Sequence, residues 1–272
     1  MVYLKDLNGS TNNKPMEKTK EQLILAFKKA NKEYREKLAK KAGFTSGDEY
    51  LASLQKKAKV TSKKTEPKKG LFYVIDVLDA SGSMEGGKYN NSKSGIVEGI
   101  KDLQKRTDVK YSLVEFVDNS KQNNPITKAN PSDIILDKIN FNGASGWNTP
   151  LYYTVYDVIN SLKVNKEDKV LVNVYTDGMN NTRYDYTQKA AELIKKVQKE
   201  NFTITFVATP EDLKGIMRDI NIDESNTLAT ANTAEGFKKS MEKTRMSRST
   251  YFTASAAGED TLTGFYKKPG KL

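Results

Sequence analysis

Three short apolar runs, separated by amphipathic segments, constrain the fold of this chain more than any other feature. The runs cover residues 71–78, 169–176 and 202–208. Each is short and mostly apolar, which is typical of a strand covered on both faces. Helical periodicity lies between them, as in residues 186–200, where apolar side chains recur at steps of three or four. This alternation predicts an α/β fold with an open, Rossmann-like, mainly parallel sheet of about six strands and helices on both faces.

Charge divides the chain into three parts. Residues 1–70 carry a net charge of +10, residues 71–242 carry −3, and residues 243–272 carry +4. We therefore expect a basic helical extension with a Lys-rich linker at 1–70, a folded domain at 71–246 and a flexible basic tail at 247–272. The extension is expected to form a helical hairpin, with a second short helix capped at Ser46. The apolar stripe of its first helix comprises Leu23, Phe27, Ala30, Tyr34 and Leu38.

The chain contains no cysteine and no histidine. Disulfides, iron–sulfur clusters, Cys or His zinc sites and His-based catalysis are therefore excluded. Only 6 of the 45 basic residues are arginine, which weakens the case for bidentate phosphate recognition. No apolar run approaches the ~18 residues of a membrane-spanning helix, so no membrane partner is expected. No secretory signal is recognisable, so the sequence predicts a cytoplasmic location.

Three separated pieces of sequence are expected to meet at one edge of the sheet. Asp79, Ser81 and Ser83 follow the first apolar run, Thr149 precedes a predicted helix, and Asp177 ends the second run. Ligands of open α/β sheets bind outside the carboxyl ends of the strands. Two carboxylates and three hydroxyls are hard oxygen donors that suit Mg²⁺ or Mn²⁺. Because two carboxylates already balance a divalent charge, a carboxylate from outside could complete the coordination.

At these residues the sequence resembles the von Willebrand factor type A domain with its metal-ion-dependent adhesion site (MIDAS). The family motif is D-x-S-x-S, then Thr, then Asp. The resemblance covers residues 71–246 and includes GWNTPLY at 146–152 and YTDGMNN at 175–181. Residues 208–246, with TAEGFKK, are similar to stand-alone bacterial and phage members. The resemblance implies that Ser81, Ser83 and Thr149 contact the metal directly, and that Asp79 and Asp177 do so directly or through water.

Four further residues leave alternatives open. Met84, Trp147 and Met179 either form an apolar rim that contacts a partner, or pack under the loops of the site. Asp76 lies within a strand predicted to be buried, where an unpaired carboxylate is costly. We expect a structural role for Asp76, with a lysine partner or a strand more exposed than its composition indicates.

The predicted function is metal-dependent binding of another protein, without turnover, in which an Asp or Glu of the partner completes the coordination. One alternative is a structural or assembly component of a phage virion. Another is association with nucleic acid or an acidic partner through the basic extension. An enzyme of phosphoryl chemistry is disfavoured because the sequence offers no general base beyond the metal ligands, no histidine and no nearby Lys or Arg. A bacterial or phage-encoded cytoplasmic protein is expected, with the virion as the alternative location.

Overall fold

The computed structural model describes residues 32–53, 70–118, 121–182 and 185–267. The chain divides into two compact units, residues 1–68 and 69–272. In the first unit, helix α1 (Lys32–Lys41) ends before Gly43, which has a φ of 83°. Residues 47–53 are helical, and the Ser46 hydroxyl accepts a hydrogen bond from the Glu49 N–H at 3.1 Å, as the predicted cap requires. The predicted stripe positions Leu23, Phe27 and Ala30 and the Lys-rich linker lie outside the described residues.

The second unit is built on a six-stranded sheet, as predicted. The strands are β1 (Phe72–Asp79), β2 (Val109–Val117), β3 (Lys121–Ala129), β4 (Lys169–Tyr175), β5 (Phe202–Ala208) and β6 (Thr227–Ala229). Their order is β3-β2-β1-β4-β5-β6, and every neighbouring pair is parallel except β2 and β3. Parallel neighbours need crossover connections, which places helices on the sheet faces.

Helices cover both faces of this sheet and enclose two apolar cores. The first core contains Ile96 of α2 and Met241 of α6, and the second contains Val155 of α3, Ile194 of α4 and Ile216 of α5. Among the described residues, no helix has the length and apolarity that a bilayer crossing requires. The helices are α2 (Gly87–Leu103), α3 (Leu151–Asn160), α4 (Thr187–Val197), α5 (Pro210–Ile220) and α6 (Ala234–Ala256).

The apolar residues within 134–139 favour a short helix there, but the structure does not form one. Two 3₁₀ turns, Pro131–Asp133 and Leu136–Lys138, flank an extended pair of residues instead. A helix of one or two turns must meet the cost of nucleation with few hydrogen bonds. The extended backbone also lets Ile134 and Leu136 pack against the first core.

The expected flexible tail at 247–272 is wrong for the residues that the structure describes. Helix α6 continues to Ala256, and four aromatic side chains beyond residue 246 are buried in the core. The ring of Phe252 lies 5.0 Å from that of Phe72 on β1, measured between centroids. The folded domain therefore extends to at least residue 267. The four buried aromatic residues are Tyr251, Phe252, Phe265 and Tyr266.

Candidate metal centre

The carboxyl ends of β1 and β4 bring the first and third pieces of the predicted site together. The two strands are parallel neighbours with Leu78 opposite Tyr175. Asp79 ends β1, and Thr176 and Asp177 follow β4. Asp79 and Asp177 therefore lie at one edge of the sheet although they are distant in sequence.

Asp79 is fully buried and fixed by hydrogen bonds on both carboxylate oxygens. Its Oδ1 accepts the Ser81 N–H at 2.8 Å, and its Oδ2 accepts the Thr176 hydroxyl at 2.5 Å. Burial raises the pKa of Asp79 to about 6, while the hydrogen bonds from Thr176 and Ser81 oppose this rise. A divalent cation at this carboxylate would favour its ionised form.

The two serine hydroxyls lead to the second carboxylate, and the Thr149 hydroxyl lies in the same region. Ser81 Oγ lies 3.0 Å from Ser83 Oγ, and Ser83 Oγ donates to Asp177 Oδ1 at 2.6 Å. A Cβ placed on Gly178 would lie 3.6 Å from Thr149 Oγ1 and 4.0 Å from Ser83 Oγ, so these two hydroxyls face the same space. The structure thus brings together all five side chains that the sequence predicted.

The loop that carries Thr149 is held against the loop after β1. The Gly82 N–H donates to the Gly146 carbonyl at 3.2 Å, and a Cβ on Gly82 would approach that oxygen to 2.7 Å. Gly82 is needed for this close approach. The Asn181 side chain accepts the Thr149 N–H, which fixes the second loop to the turn after β4.

A buried glutamate that sequence reasoning missed anchors the start of the same loop. Glu115 on β2 has no exposed surface and accepts hydrogen bonds from the Tyr89 hydroxyl and from the Asn142 N–H, the latter at 2.9 Å. The Tyr89 hydroxyl in turn accepts the Gly143 N–H at 2.9 Å. Burial, with the hydrogen bond to Glu115, raises the pKa of Tyr89, so its hydroxyl remains a donor.

Lys88 also reaches the site, contrary to the expectation that no Lys or Arg lies nearby. Its ammonium contacts Asp177 Oδ2 and donates to Asn232 Oδ1 at 2.9 Å. Lys88 occupies the first turn of α2, which begins directly after the D-x-S-x-S loop. This proximity in sequence could have indicated that Lys88 lies near the site, because the first turn of such a helix lies beside the sheet edge.

Comparison with known proteins supports the resemblance found in the sequence. The family model of the von Willebrand factor type A domain matches residues 74–247, which is more than half of the chain. The chain belongs to the von Willebrand factor type A (vWA) family. No curated protein matches the sequence.

Several solved structures resemble the vWA domain. Proximal thread matrix protein 1 (PTMP1) from the mussel byssus, with a zinc-occupied MIDAS motif, aligns with a TM-score of 0.52 and 18% identity, over 64% of this chain and 44% of that chain. The PilB minor pilin from Streptococcus sanguinis aligns with a TM-score of 0.49 and 15% identity, over 66% of this chain and 61% of that chain. This chain thus covers less than two thirds of the length of PTMP1 and of PilB. At 18% identity, the PTMP1 alignment shows a shared fold alone.

Of the three predicted rim residues, only Trp147 is largely exposed, and Met179 is partly buried. Its side chain is 92% exposed at the edge of a shallow depression beside the hydroxyls. Met84 is fully buried because the 3₁₀ turn Gly82–Met84 directs it into the first core, and Met179 packs against the second. The depression is lined by Ser81, Ser83, Glu85, Trp147, Thr149 and Asn181, among others.

Asp76 belongs to a buried polar network rather than to the metal centre. It is 1% exposed and accepts hydrogen bonds from the Tyr111 hydroxyl and the Asn173 amide, both at 2.8 Å. Its cationic partner is Arg248 of α6, with Nη1 3.7 Å from Oδ2, rather than the expected lysine. The strand is buried as the sequence indicates, so the expected alternative of a more exposed strand is wrong.

The donor set of the vWA domain fits a hard divalent cation. The Thr149 side chain is buried, and its hydroxyl faces the same space as the Ser83 hydroxyl. An ammonium group already lies against Asp177, so this carboxylate favours a cation. In the described part of the chain, no cluster of three or more acidic side chains offers another metal site. The donors are therefore Asp79, Ser81, Ser83, Thr149 and Asp177.

Proposed function

We propose that this vWA domain binds another protein through a Mg²⁺ or Mn²⁺ ion held by Asp79, Ser81, Ser83, Thr149 and Asp177. The observation that carries the proposal is the convergence of two carboxylates and three hydroxyls at the carboxyl end of β1 and β4. Oxygen donors with a total charge of −2 suit a hard divalent ion. The zinc-occupied MIDAS motif of PTMP1 supports the metal part of the proposal.

An acidic side chain of the partner would complete the coordination from the depression. When bound, the metal supplies an electrophilic position that a carboxylate can occupy without an excess of negative charge. Trp147 stands exposed at the edge of this depression, and exposed aromatic side chains commonly anchor protein interfaces. Trp147 would therefore contact the residues that flank the partner's Asp or Glu.

A binding role without turnover agrees with how the charged groups are engaged. Asp79 accepts hydrogen bonds from Ser81 and Thr176, and Lys88 is paired with Asp177. Neither Asp79 nor Lys88 is therefore placed as a separate general base for an attacking water. Residence in a bacterial cytoplasm or in a phage particle stays a prediction of the sequence.

Titration calorimetry with Mg²⁺ and Mn²⁺ tests the metal site. We expect one ion to bind per chain at or below millimolar concentrations, and Thr149→Ala to bind it roughly tenfold more weakly, because one ligand is lost. Ser145→Ala is the matched control. It removes another hydroxyl from the depression, and Ser145 holds the loop through its backbone N–H to the Ala80 carbonyl at 2.8 Å. Absence of heat with folded wild type would refute the site.

Affinity capture tests the partner carboxylate. The wild type, Asp177→Ala and Trp147→Ala are compared in Mg²⁺ and in EDTA, and each captured protein is then purified and rebound with its acidic residues substituted one at a time. We expect EDTA, Asp177→Ala and one partner substitution to abolish binding, and Trp147→Ala to weaken it without changing metal affinity. Binding that survives both EDTA and Asp177→Ala would place the partner on another surface.

The charge distribution favours a second role for residues 1–70. Their net charge of +10 contrasts with −3 over residues 71–242. Binding of a polyanion such as nucleic acid would release counterions and fall steeply with salt. We expect the full chain to bind duplex or single-stranded nucleic acid at low salt, and a chain that starts at Gly70 to lose most of this affinity. Equal binding by the two chains would contradict this role.

A further inference from the structure

Lys88 and the proposed metal would use the same carboxylate. The Lys88 ammonium contacts Asp177 Oδ2, while Oδ1 of the same group accepts the Ser83 hydroxyl. The Lys88 side chain is 18% exposed and the Asp177 side chain is not exposed at all. Both oxygens of Asp177 are therefore engaged, one of them by a partly buried positive charge.

The backbone of Lys88 is fixed by the start of α6. A Cβ on the preceding Gly87 would lie only 2.7 Å from the Ala234 Cβ, so the two helix starts are in close contact. The Asn91 amide donates to the Ala234 carbonyl at 2.7 Å one turn later. The helix therefore cannot carry Lys88 away from the site, and only rotation of its side chain can do so.

Asn232 offers the Lys88 ammonium a second partner. Its Oδ1 accepts a hydrogen bond from Nζ at 2.9 Å, in the segment just before α6. A side chain that leaves Asp177 would keep this hydrogen bond and reach solvent, so its displacement costs less than the burial of an unpaired ammonium.

We propose that Lys88 is a tethered cation that competes with the divalent ion for Asp177 and so sets the metal affinity of the domain. This inference rests on the proposed function. A divalent ion ligated by Asp177 and an ammonium on the same carboxylate repel each other, and in a partly buried site solvent screens this repulsion weakly. Lys88 thereby stabilises the carboxylates when no metal is bound, and metal binding releases it toward Asn232.

The test compares Lys88→Met with Lys88→Arg, which keeps the charge. Lys101→Met on the same helix is the matched control, since Lys101 pairs with Glu98 and is half exposed. By calorimetry we expect Lys88→Met to bind Mn²⁺ roughly tenfold more tightly than wild type, in the usual range of coupling between neighbouring sites. Lys88→Arg and Lys101→Met should bind as wild type does. In EDTA, only Lys88→Met should melt at a lower temperature.

A second measurement needs no variant. Amine acetylation of wild type, read at Lys88 by mass spectrometry, should become faster when Mn²⁺ is added, and acetylation of Lys101 should not change. If Lys88→Met does not fold, this measurement decides. Suppose that the wild type binds Mn²⁺, that Lys88→Met binds it no more tightly, and that Mn²⁺ does not change the acetylation rate of Lys88. These results would overturn the competition between Lys88 and the metal but leave the proposed function standing. Wild type that binds no ion would overturn the proposed function with it.

Discussion

Removal of residues 249–272 is expected to unfold the vWA domain, although their composition indicates a dispensable tail. The decisive comparison is between a fragment 70–248 and a fragment 70–267. The shorter fragment lacks four aromatic side chains that are each less than 9% exposed. It also lacks the Thr261 and Leu262 carbonyls, which accept hydrogen bonds at 2.8 Å from the Thr203 hydroxyl and the Asn226 amide.

The expected loss is comparable with the whole stability of a domain. Burial of one large apolar side chain contributes roughly 1.5–3 kcal/mol, so the four aromatic residues contribute roughly 6–12 kcal/mol together. Each buried polar group that loses its partner adds a penalty of about 1–3 kcal/mol. Since domains are stable by only about 5–15 kcal/mol, the fragment 70–248 should not remain folded.

Circular dichroism and urea denaturation provide the measurement. We expect the fragment 70–267 to unfold cooperatively and to match a fragment 70–272, and the fragment 70–248 to show no cooperative transition. The reasoning would be refuted if 70–248 melted within about 5 °C of 70–267, because a shift that small corresponds to only about 1–2.5 kcal/mol in a domain of this size.

Two further predictions concern buried charges. Because burial raises the folded-state pKa of Asp79 to about 6, its protonated form is favoured on folding. In EDTA the contribution of Asp79 to the free energy of unfolding is therefore fully present below about pH 4. On the order of 3 kcal/mol of this contribution is lost as the pH rises from about 4 to about 6. Asp79→Asn should lack this loss. Urea denaturation measures the free energy of unfolding of both proteins, and a difference between them that does not change from about pH 4 to about pH 6 would contradict the prediction. Arg248→Met should destabilise the domain by about 3–5 kcal/mol because it leaves Asp76 buried without its cation. The double variant Asp76→Asn/Arg248→Met should recover part of this loss in the same assay, and no recovery would show that the pair is not coupled.

Local sequence predicted the strands and the site because each rests on a pattern within one element. Mostly apolar character identified β1, β4 and β5, and the polar residues at the ends of β1 and β4 had to lie at one sheet edge once the strands were parallel. Thr149 was found through its motif rather than through periodicity. The structure shows why that motif works, since Asn181 and Gly146 hold its loop against the other two pieces.

Residues past 246 escaped prediction because their apolar side chains follow no helical stripe. Tyr251 and Phe252 are adjacent in sequence, and Phe265 and Tyr266 lie beyond the end of α6. A helical pattern requires steps of three or four, so this Ser- and Thr-rich stretch was expected to be a tail. Its burial depends on the space that α2 and β1 leave open on one face of the sheet.

The sequence by itself determined the vWA fold, the strand ends and the five candidate ligands. The strands follow from the order of apolar and polar residues along short segments, and the family and its five candidate ligands follow from the D-x-S-x-S, Thr and Asp pieces of the motif. Only the tertiary structure decided which charges meet: Lys88 with Asp177, 89 residues away, and Arg248 with Asp76. Such pairs depend on the order of strands and on how α2 and α6 start side by side, and no local periodicity encodes the distance between two side chains on different elements.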